Sequence, residues 1–231
     1  DLIVFDMDTF GGAVDSALQI ATLIGSVSGP ATAAYVSSTA EGTGVSWSAG
    51  AFISLACESI YMAPATSIGA AAPVYQTQGG IEPAPEKTVS AVRAQMAALA
   101  EKNGYPVAVA RAMVDLDVEL LEVYVGDTVR LIARDELPSV KREAEEQGVS
   151  VEEGQVVAAS GKLLTLTAGQ MERYGISAGT VSTMDELLAD AGYPAAEAEM
   201  LEESLFDRAA AFITGASASG LLILLGLVAL Y

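Results

Sequence analysis

The sequence has no histidine and a single cysteine, Cys57, among its 231 residues. The missing imidazole removes the commonest metal ligand and the usual general base. The lone thiol excludes an internal disulfide and a cysteine-rich zinc site. Any metal would have to be held by carboxylates alone, and neither a metal nor a cofactor is expected. Positive charge is also scarce, with 11 Lys and Arg against 30 Asp and Glu and a formal net charge of −19. Phosphate backbones are bound through clustered Lys and Arg, so nucleic acid is not an expected partner. The length suits one sizeable α/β domain and is too short for two large ones.

For so acidic a chain the mean hydropathy is high, +0.41. Much of the excess lies in residues 209–231, "AAAFITGASASGLLILLGLVALY", which carry no charge and are about long enough to span the hydrocarbon core as a helix. They are expected to begin a transmembrane region that the chain does not complete. Residues 193–208 read as a linker or amphipathic helix, and residues 1–192 as the folded domain. At the other end the sequence enters "DLIVFDMDTFGG" without an initiator Met or a signal peptide, so a fragment is expected.

Within the domain, turn signals alternate with short apolar runs. "LIVFDM" is typical of a buried parallel strand, and "DTFGGAVDSALQIATLIGS" gives a glycine turn followed by helical spacing, with Asp15 or Ser16 as the cap. "GPATAAYVSS" reads as a second strand. Ser48 to Cys57 reads as a helix rich in small residues, and "SIYMAP" and "TSIGAAAP" as short strands or turns. The Gly and Pro content of Ala72 to Glu86 predicts a loop. From Lys87 the pattern predicts an amphipathic helix carrying Val89, Val92, Met96 and Leu99 and stopping at Asn103-Gly104. A second helix starts at Pro106, and Leu120 to Val157 reads as strands around a charged helical insertion. The segment from Gly161 predicts a strand, a Thr167-capped helix, another strand and a Thr183-capped helix. This order is that of an α/β domain.

Ser48 follows a glycine-rich run, Glu41 to Gly44, and opens a small-residue helix, the place of an exposed nucleophile or of a helix cap. Without histidine its base must be a lysine, a carboxylate or a terminal amine. A lysine serves only if burial lowers its pKa from about 10.4 towards neutrality. Of the four lysines, Lys141 lies in a charged helix and Lys102 beside Glu101 at a helix end, both solvated positions. Lys162 adjoins a strand in "SGKLLTLT" as a surface residue, whereas Lys87 leaves the Gly/Pro segment and enters an apolar-packed helix, where it is either the base or, as the residues alone favour, a solvated first-turn lysine. Donors for an oxyanion are supplied by glycine turns at strand ends, because glycine lets the backbone approach a substrate closely. Gly11 and Gly12 form such a turn. Cys57 reads as a small buried hydrophobe, and "EEQGVSVEEG" as a solvated face rather than a metal site.

Together "DTFGGAVDSA", "SWSAG", "MAPATSIGAAAPV", the lysine opening "EKTVSAVRAQMAALAEKNG" and "GKLLTLTAGQMERYGISAGTVSTMDELL" resemble the NfeD family of membrane-anchored serine proteases. The resemblance implies a ClpP/crotonase-like α/β spiral of short parallel strands and helices ahead of a membrane segment. It implies Ser48 as nucleophile, Lys87 as general base, and Gly11 and Gly12 as oxyanion donors. The implied substrate is an apolar segment of a stomatin-like membrane protein, cleaved by a homo-oligomer whose protease domain lies outside the cytoplasm. Two positions depart from the family pattern: Phe10 replaces the proline of the glycine turn, and Trp47 replaces the small residue before the serine. If these side chains closed the cleft, the chain would be an inactive scaffold binding stomatin-like partners. A crotonase-type acyl-CoA enzyme would share the glycine turns, but no basic cluster is present to hold the CoA phosphates.

Overall fold

The apolar run at the N-terminus forms strand β1 (Leu2–Met7), and the glycine turn leads into helix α1 (Val14–Gly25). Then come β2 (Ala31–Val36), β3 (Val45–Trp47), α2 (Ala49–Ala56), β4 (Ser59–Met62) and β5 (Ser67–Gly69). They are followed by β6 (Val74–Thr77), β7 (Gly80–Pro83), α3 (Glu86–Asn103) and α4 (Val107–Val114). Next are β8 (Leu120–Val125), β9 (Thr128–Ala133), a 3₁₀ turn (Arg134–Glu136), α5 (Leu137–Glu146) and β10 (Val151–Ala158). The last elements are β11 (Thr165–Thr167), α6 (Ala168–Arg173), β12 (Gly179–Thr180) and α7 (Met184–Asp190). This computed structural model describes residues 1–40, 42–77, 79–201 and 204–206. The chain divides into the units Asp1–Pro194 and Ala195–Tyr231, and the elements above all belong to the first. Residues 195–201 carry no helix or strand, and the apolar segment 209–231 lies outside the described residues. Among the described residues no helix is long and apolar enough to cross a membrane.

A four-stranded parallel sheet, β1-β2-β4-β12, is the frame. Its inner strands β2 and β4 are covered on both faces, which is why they read as nearly unbroken apolar runs; Ala33, Ala34, Val36, Ile60 and Met62 are all fully buried. A second sheet, β11-β5-β3, pairs β3 with β5 in parallel and β11 with β5 antiparallel. One parallel bridge, Thr9 to Ser46, stitches the end of β1 to β3 and so joins the two sheets. A third, antiparallel sheet, β10-β8-β9, follows α4.

Helix α2 is central, and its far end is fixed by α3. Asn103 Nδ2 donates to the Leu55 carbonyl at 2.8 Å, and Tyr105 Oη donates to the Cys57 carbonyl at 2.9 Å. Terminal carbonyls of a helix have no partner within it, so these two side chains satisfy groups that would otherwise be orphaned. The chain can turn back there because Gly104 adopts φ 78°, the left-handed stop expected from Asn103-Gly104. Val92, Met96 and Ala100 of α3 share one core cluster with Phe52 and Leu55 of α2.

Two expectations fail. Ala72 to Glu86 is not a loop: β6 and β7 pair as an antiparallel hairpin from Val74↔Pro83 to Thr77↔Gly80. Its composition hides it, because all eight strand residues are exposed and no inward apolar face betrays the pairing. Tyr75 Oη and the Thr88 hydroxyl, 3.0 Å apart, tie it to the first turn of α3. Helix α1 is not capped by Asp15 or Ser16; Ala13 holds the cap position, and Asp15 lies in the first turn, where its charge favours the helix dipole. Thr167 and Thr183 cap α6 and α7 as read, through Gln170 N–H and Glu186 N–H.

The third sheet contains a buried carboxylate, Glu122, only 2% exposed. Tyr124 and Tyr174 donate hydroxyl hydrogen bonds to it at 2.5 and 2.7 Å, and Arg173 pairs with it at 2.9 Å. Burial pushes its pKa up, but these donors and the guanidinium outweigh burial and hold it below the ordinary carboxylate value. A depressed folded pKa contributes stability that is present above the unfolded value, about 4.3, and is lost as pH falls through the folded one. Glu122→Gln is therefore expected to cost roughly 1–3 kcal/mol at pH 7. The cost should shrink in acid below that depressed folded value, where the wild-type group is neutral as well. Urea unfolding at pH 7 and in such acid measures this, and an undiminished cost in acid would contradict it.

Candidate active site

Ser48 stands where β3 ends and α2 begins, with φ 54° and ψ −116°. An L-residue in this region costs on the order of 1–3 kcal/mol and persists only where its surroundings impose it. Here they do. Ser48 N–H donates to the Gly69 carbonyl at 2.9 Å, while the Ser48 carbonyl accepts the Phe52 N–H at 3.2 Å. Gly50 lets α2 sit tightly against β3 and the Thr9 turn: a Cβ there would come within 2.6 Å of Thr9 Cγ2 and 2.8 Å of Ser46 Oγ. The buried hydroxyls of Ser46 and Ser54, 3.0 Å apart, join strand to helix. Ser48 occupies the cap position of α2, yet its hydroxyl makes no capping hydrogen bond. The helix-cap reading thus does not describe this side chain, and the half-buried hydroxyl is left for other work.

The glycine turn is brought to Ser48 by pairing between the segments that precede each. Thr9 N–H donates to the Val45 carbonyl at 2.7 Å, and Trp47 N–H donates to the Thr9 carbonyl at 3.0 Å. Asp8 braces the same junction, accepting the Thr43 and Gly44 N–H groups and the Thr43 hydroxyl, the last at 2.5 Å. The Thr43 hydroxyl foremost, with these N–H groups, holds the Asp8 carboxyl below its usual range. Gly11 has φ +123°, and a Cβ built on it would lie 2.6 Å from Ser48 Cβ and 3.0 Å from Ser48 Oγ. Only glycine fits so close to the serine.

Gly11 N–H donates to the Thr9 hydroxyl at 3.0 Å. Among the described residues the N–H groups of Gly12 and of Ala49, the first residue of α2, have no acceptor given by the structure. Sequence reasoning did not single out Ala49. Its signal was available, since the first N–H groups of any helix lack an internal partner and the one after a helix-opening nucleophile faces the oxygen of the attacked carbonyl.

Beside Ser48 lies an apolar pocket lined by Gly12, Val14, Ala17, Phe52 and Val92, among others. Its volume is about 20 Å³, room for a single water. Val92 belongs to α3, and Lys87 stands exposed in the first turn of that helix, just after the hairpin. Among the described residues neither the Lys87 amine nor the Ser48 hydroxyl has a hydrogen-bond partner, and no bond joins the two. Of the other lysines, Lys102 donates to the Gly25 carbonyl at the C-terminal end of α1 at 2.9 Å, and Lys141 pairs with Glu153 at 2.7 Å. Lys162 is exposed at a turn. No titratable side chain lines the pocket.

Phe10 and Trp47, the two departures from the family pattern, pack on each other. Their rings meet edge to face, 5.6 Å between centroids and 66° between planes. Trp47 Nε1 donates to the Ser67 hydroxyl at 2.9 Å, while Phe10 is 64% exposed.

A strained serine opening a helix is thus pressed against a glycine turn that follows a parallel strand of an α/β domain. Residues 1–137, more than half of the chain, match the family described as the NfeD1b N-terminal domain, and the chain belongs to that family. It is 32% identical over 214 residues to the membrane protein NfeD1b of Bacillus subtilis (strain 168), covering 93% of this chain and 39% of that one. It is 30% identical over 139 residues to the membrane-bound protease PH1510 of Pyrococcus horikoshii, covering 58% and 31%. The chain therefore spans less than two fifths of these relatives. Among solved structures, a variant of the 1510-N membrane-bound stomatin-specific protease in complex with a substrate peptide superposes with a TM-score of 0.61 at 22% identity, over 92% of this chain and 83% of that one. A second variant superposes with a TM-score of 0.55 at 23% identity, over 82% and 68%. At such identity the likeness concerns the fold.

Proposed function

We propose that this chain is the catalytic domain of a membrane-tethered serine endopeptidase, with Ser48 as nucleophile and Lys87 as general base. The observation that carries the reading is the strained Ser48, its hydroxyl uncapped, facing Gly11 and opening on an apolar pocket. An extended peptide places a group no larger than a methyl in the pocket and its carbonyl carbon against Ser48 Oγ. Neutral Lys87 accepts the hydroxyl proton as the Oγ–C bond forms. The N–H groups of Gly12 and Ala49 then hold the oxyanion, and Gly11 gives the serine room. Collapse breaks the C–N bond and returns the proton to the departing amine, after which water, deprotonated by Lys87, releases the acyl group.

Lys87 reaches Ser48 by closure of the first turn of α3, which the Tyr75–Thr88 contact couples to the exposed hairpin. Catalytic hydrogen bonds often tighten only when substrate binds. The relatives named as proteases and the apolar pocket support a substrate drawn from apolar segments of stomatin-like membrane proteins. The apolar stretch 209–231 would tether the domain to the membrane, outside the cytoplasm.

A serine-reactive phosphonate is expected to label the wild-type chain at one site and to leave Ser48→Ala unlabelled, as read by intact mass. Labelling that persists in Ser48→Ala would remove the nucleophile from this reading. Its absence from both chains would favour the inactive scaffold.

A further inference from the structure

The hydroxyl of Thr9 meets Gly11 twice. It accepts the Gly11 N–H at 3.0 Å and donates to the Gly11 carbonyl at 3.3 Å. The first bond occupies the Gly11 amide, so of the two turn glycines only Gly12 keeps an amide with no acceptor among the described residues. The second bond acts on the peptide unit that carries this free amide, because the Gly11 carbonyl and the Gly12 N–H belong to one planar group. In a trans peptide the two point in opposite directions, and no cis bond occurs among the described residues. Drawing the carbonyl towards Thr9 therefore turns the Gly12 N–H away from Thr9, and Gly12 lines the pocket beside Ser48. Thr9 is fixed in turn. Its N–H donates to the Val45 carbonyl at 2.7 Å, its carbonyl accepts the Trp47 N–H at 3.0 Å, and a Cβ on Gly50 of α2 would come within 2.6 Å of its methyl.

We infer that Thr9 is a positioning residue for the oxyanion site, its hydroxyl setting the direction of the Gly12 N–H. This rests on the endopeptidase reading. Thr9 acts through the Gly11–Gly12 peptide and not on the substrate itself. By its backbone and its methyl it also ties the glycine turn to the strand that precedes Ser48 and to the helix that follows it, so the Gly12 and Ala49 amides are held as a pair. A hydrogen bond donated to the Gly11 carbonyl polarises the peptide group as well, which strengthens the Gly12 N–H as a donor. The oxyanion exists at the tetrahedral stage and not in the bound peptide, so this contribution falls on kcat and leaves KM nearly unchanged.

The test uses the chain as it stands and an apolar peptide with Ala at the cleaved carbonyl. Turnover is expressed per Ser48 labelled to completion by phosphonate, so that unfolded chains are not counted. Thr9→Val keeps a methyl against Gly50 and removes the hydroxyl. It is expected to lower kcat by about 10- to 100-fold, less than the roughly 10²–10³ that loss of a whole oxyanion donor costs, with KM within about twofold of wild type. The rate of phosphonate labelling should fall in step, since the adduct places a phosphoryl oxygen where the oxyanion stands. Thr9→Ser, which keeps the hydroxyl, should retain most of kcat. Thr9→Ala removes the hydroxyl too and gives the reading if the valine chain does not fold. Unchanged kcat without the hydroxyl, a loss borne by KM alone, or a Thr9→Ser as slow as Thr9→Val would overturn the positioning role. A wild type that is labelled and active confines that failure to Thr9, whereas a wild type neither labelled nor active sinks the endopeptidase and the positioning role with it.

Discussion

Lys87→Arg is expected to lower turnover of an apolar peptide by roughly 10²- to 10⁴-fold, the range that a positioned general base contributes. Guanidinium keeps the charge and nearly the reach of the amine but cannot give up its proton at any workable pH. The loss therefore follows from proton transfer and not from an altered field. Lys102→Arg should keep most activity, because Lys102 is engaged with the Gly25 carbonyl at the far end of α1. Lys162→Arg, at an exposed turn, should keep it too. Since the base works in its neutral form, wild-type turnover should climb with rising pH and not fall. Substantial cleavage by Lys87→Arg would eliminate the dyad, and loss confined to Lys162→Arg would move the role there. The choice of Lys87 rests on the chain's lack of imidazole, on the apolar lining beside Ser48, and on the prior engagement of two of the four lysines.

Gly11→Ala is the second variant with a large expected effect. The added methyl would fall 2.6 Å from Ser48 Cβ at a backbone φ of +123° that L-residues rarely adopt, so the serine or the turn must shift. A displacement near 1 Å at a reacting atom costs about 10²-fold in rate, and the backbone conformation costs a further 1–3 kcal/mol or so of stability. Gly12→Ala supplies the contrast. Its methyl would meet Ala49 Cβ at 4.0 Å, ordinary contact, so stability should stay within about 0.5 kcal/mol of wild type. Thermal unfolding and peptide cleavage of both variants measure this. Equal stability losses at the two positions would show that the Gly11–Ser48 approach is not what the turn is built for.

Strands and helices that face the core were legible because burial imposes a period or an apolar run, as in β2, β4 and the Val92–Met96–Ala100 face of α3. The β6–β7 hairpin was not, since an element exposed along its whole length has no reason to alternate. The approach of Gly11 to Ser48 was legible as a pairing of glycine turn and helix-opening serine. Its closeness was not, because it depends on Thr9 bridging to Ser46 and on Asp8 gathering the Thr43 and Gly44 amides, contacts between segments some 35 residues apart in the chain. The Glu122 network was illegible for the same reason: a glutamate in "LLEVYV" looks like any strand glutamate until Tyr174 and Arg173 arrive from α6 and its end.

The thiol of Cys57 closes the helix that Ser48 opens. It has no solvent exposure, and burial above all, with nearby Glu58, pushes its pKa up to about 12. As the chain's one sulfhydryl it is an intrinsic clock for the catalytic helix. A thiol reagent can modify it only while α2 is detached from the core, so the pace of uptake counts those openings without any engineered label. The same measurement, run with and without a peptide in the pocket, would register how firmly substrate seats the helix that presents the nucleophile.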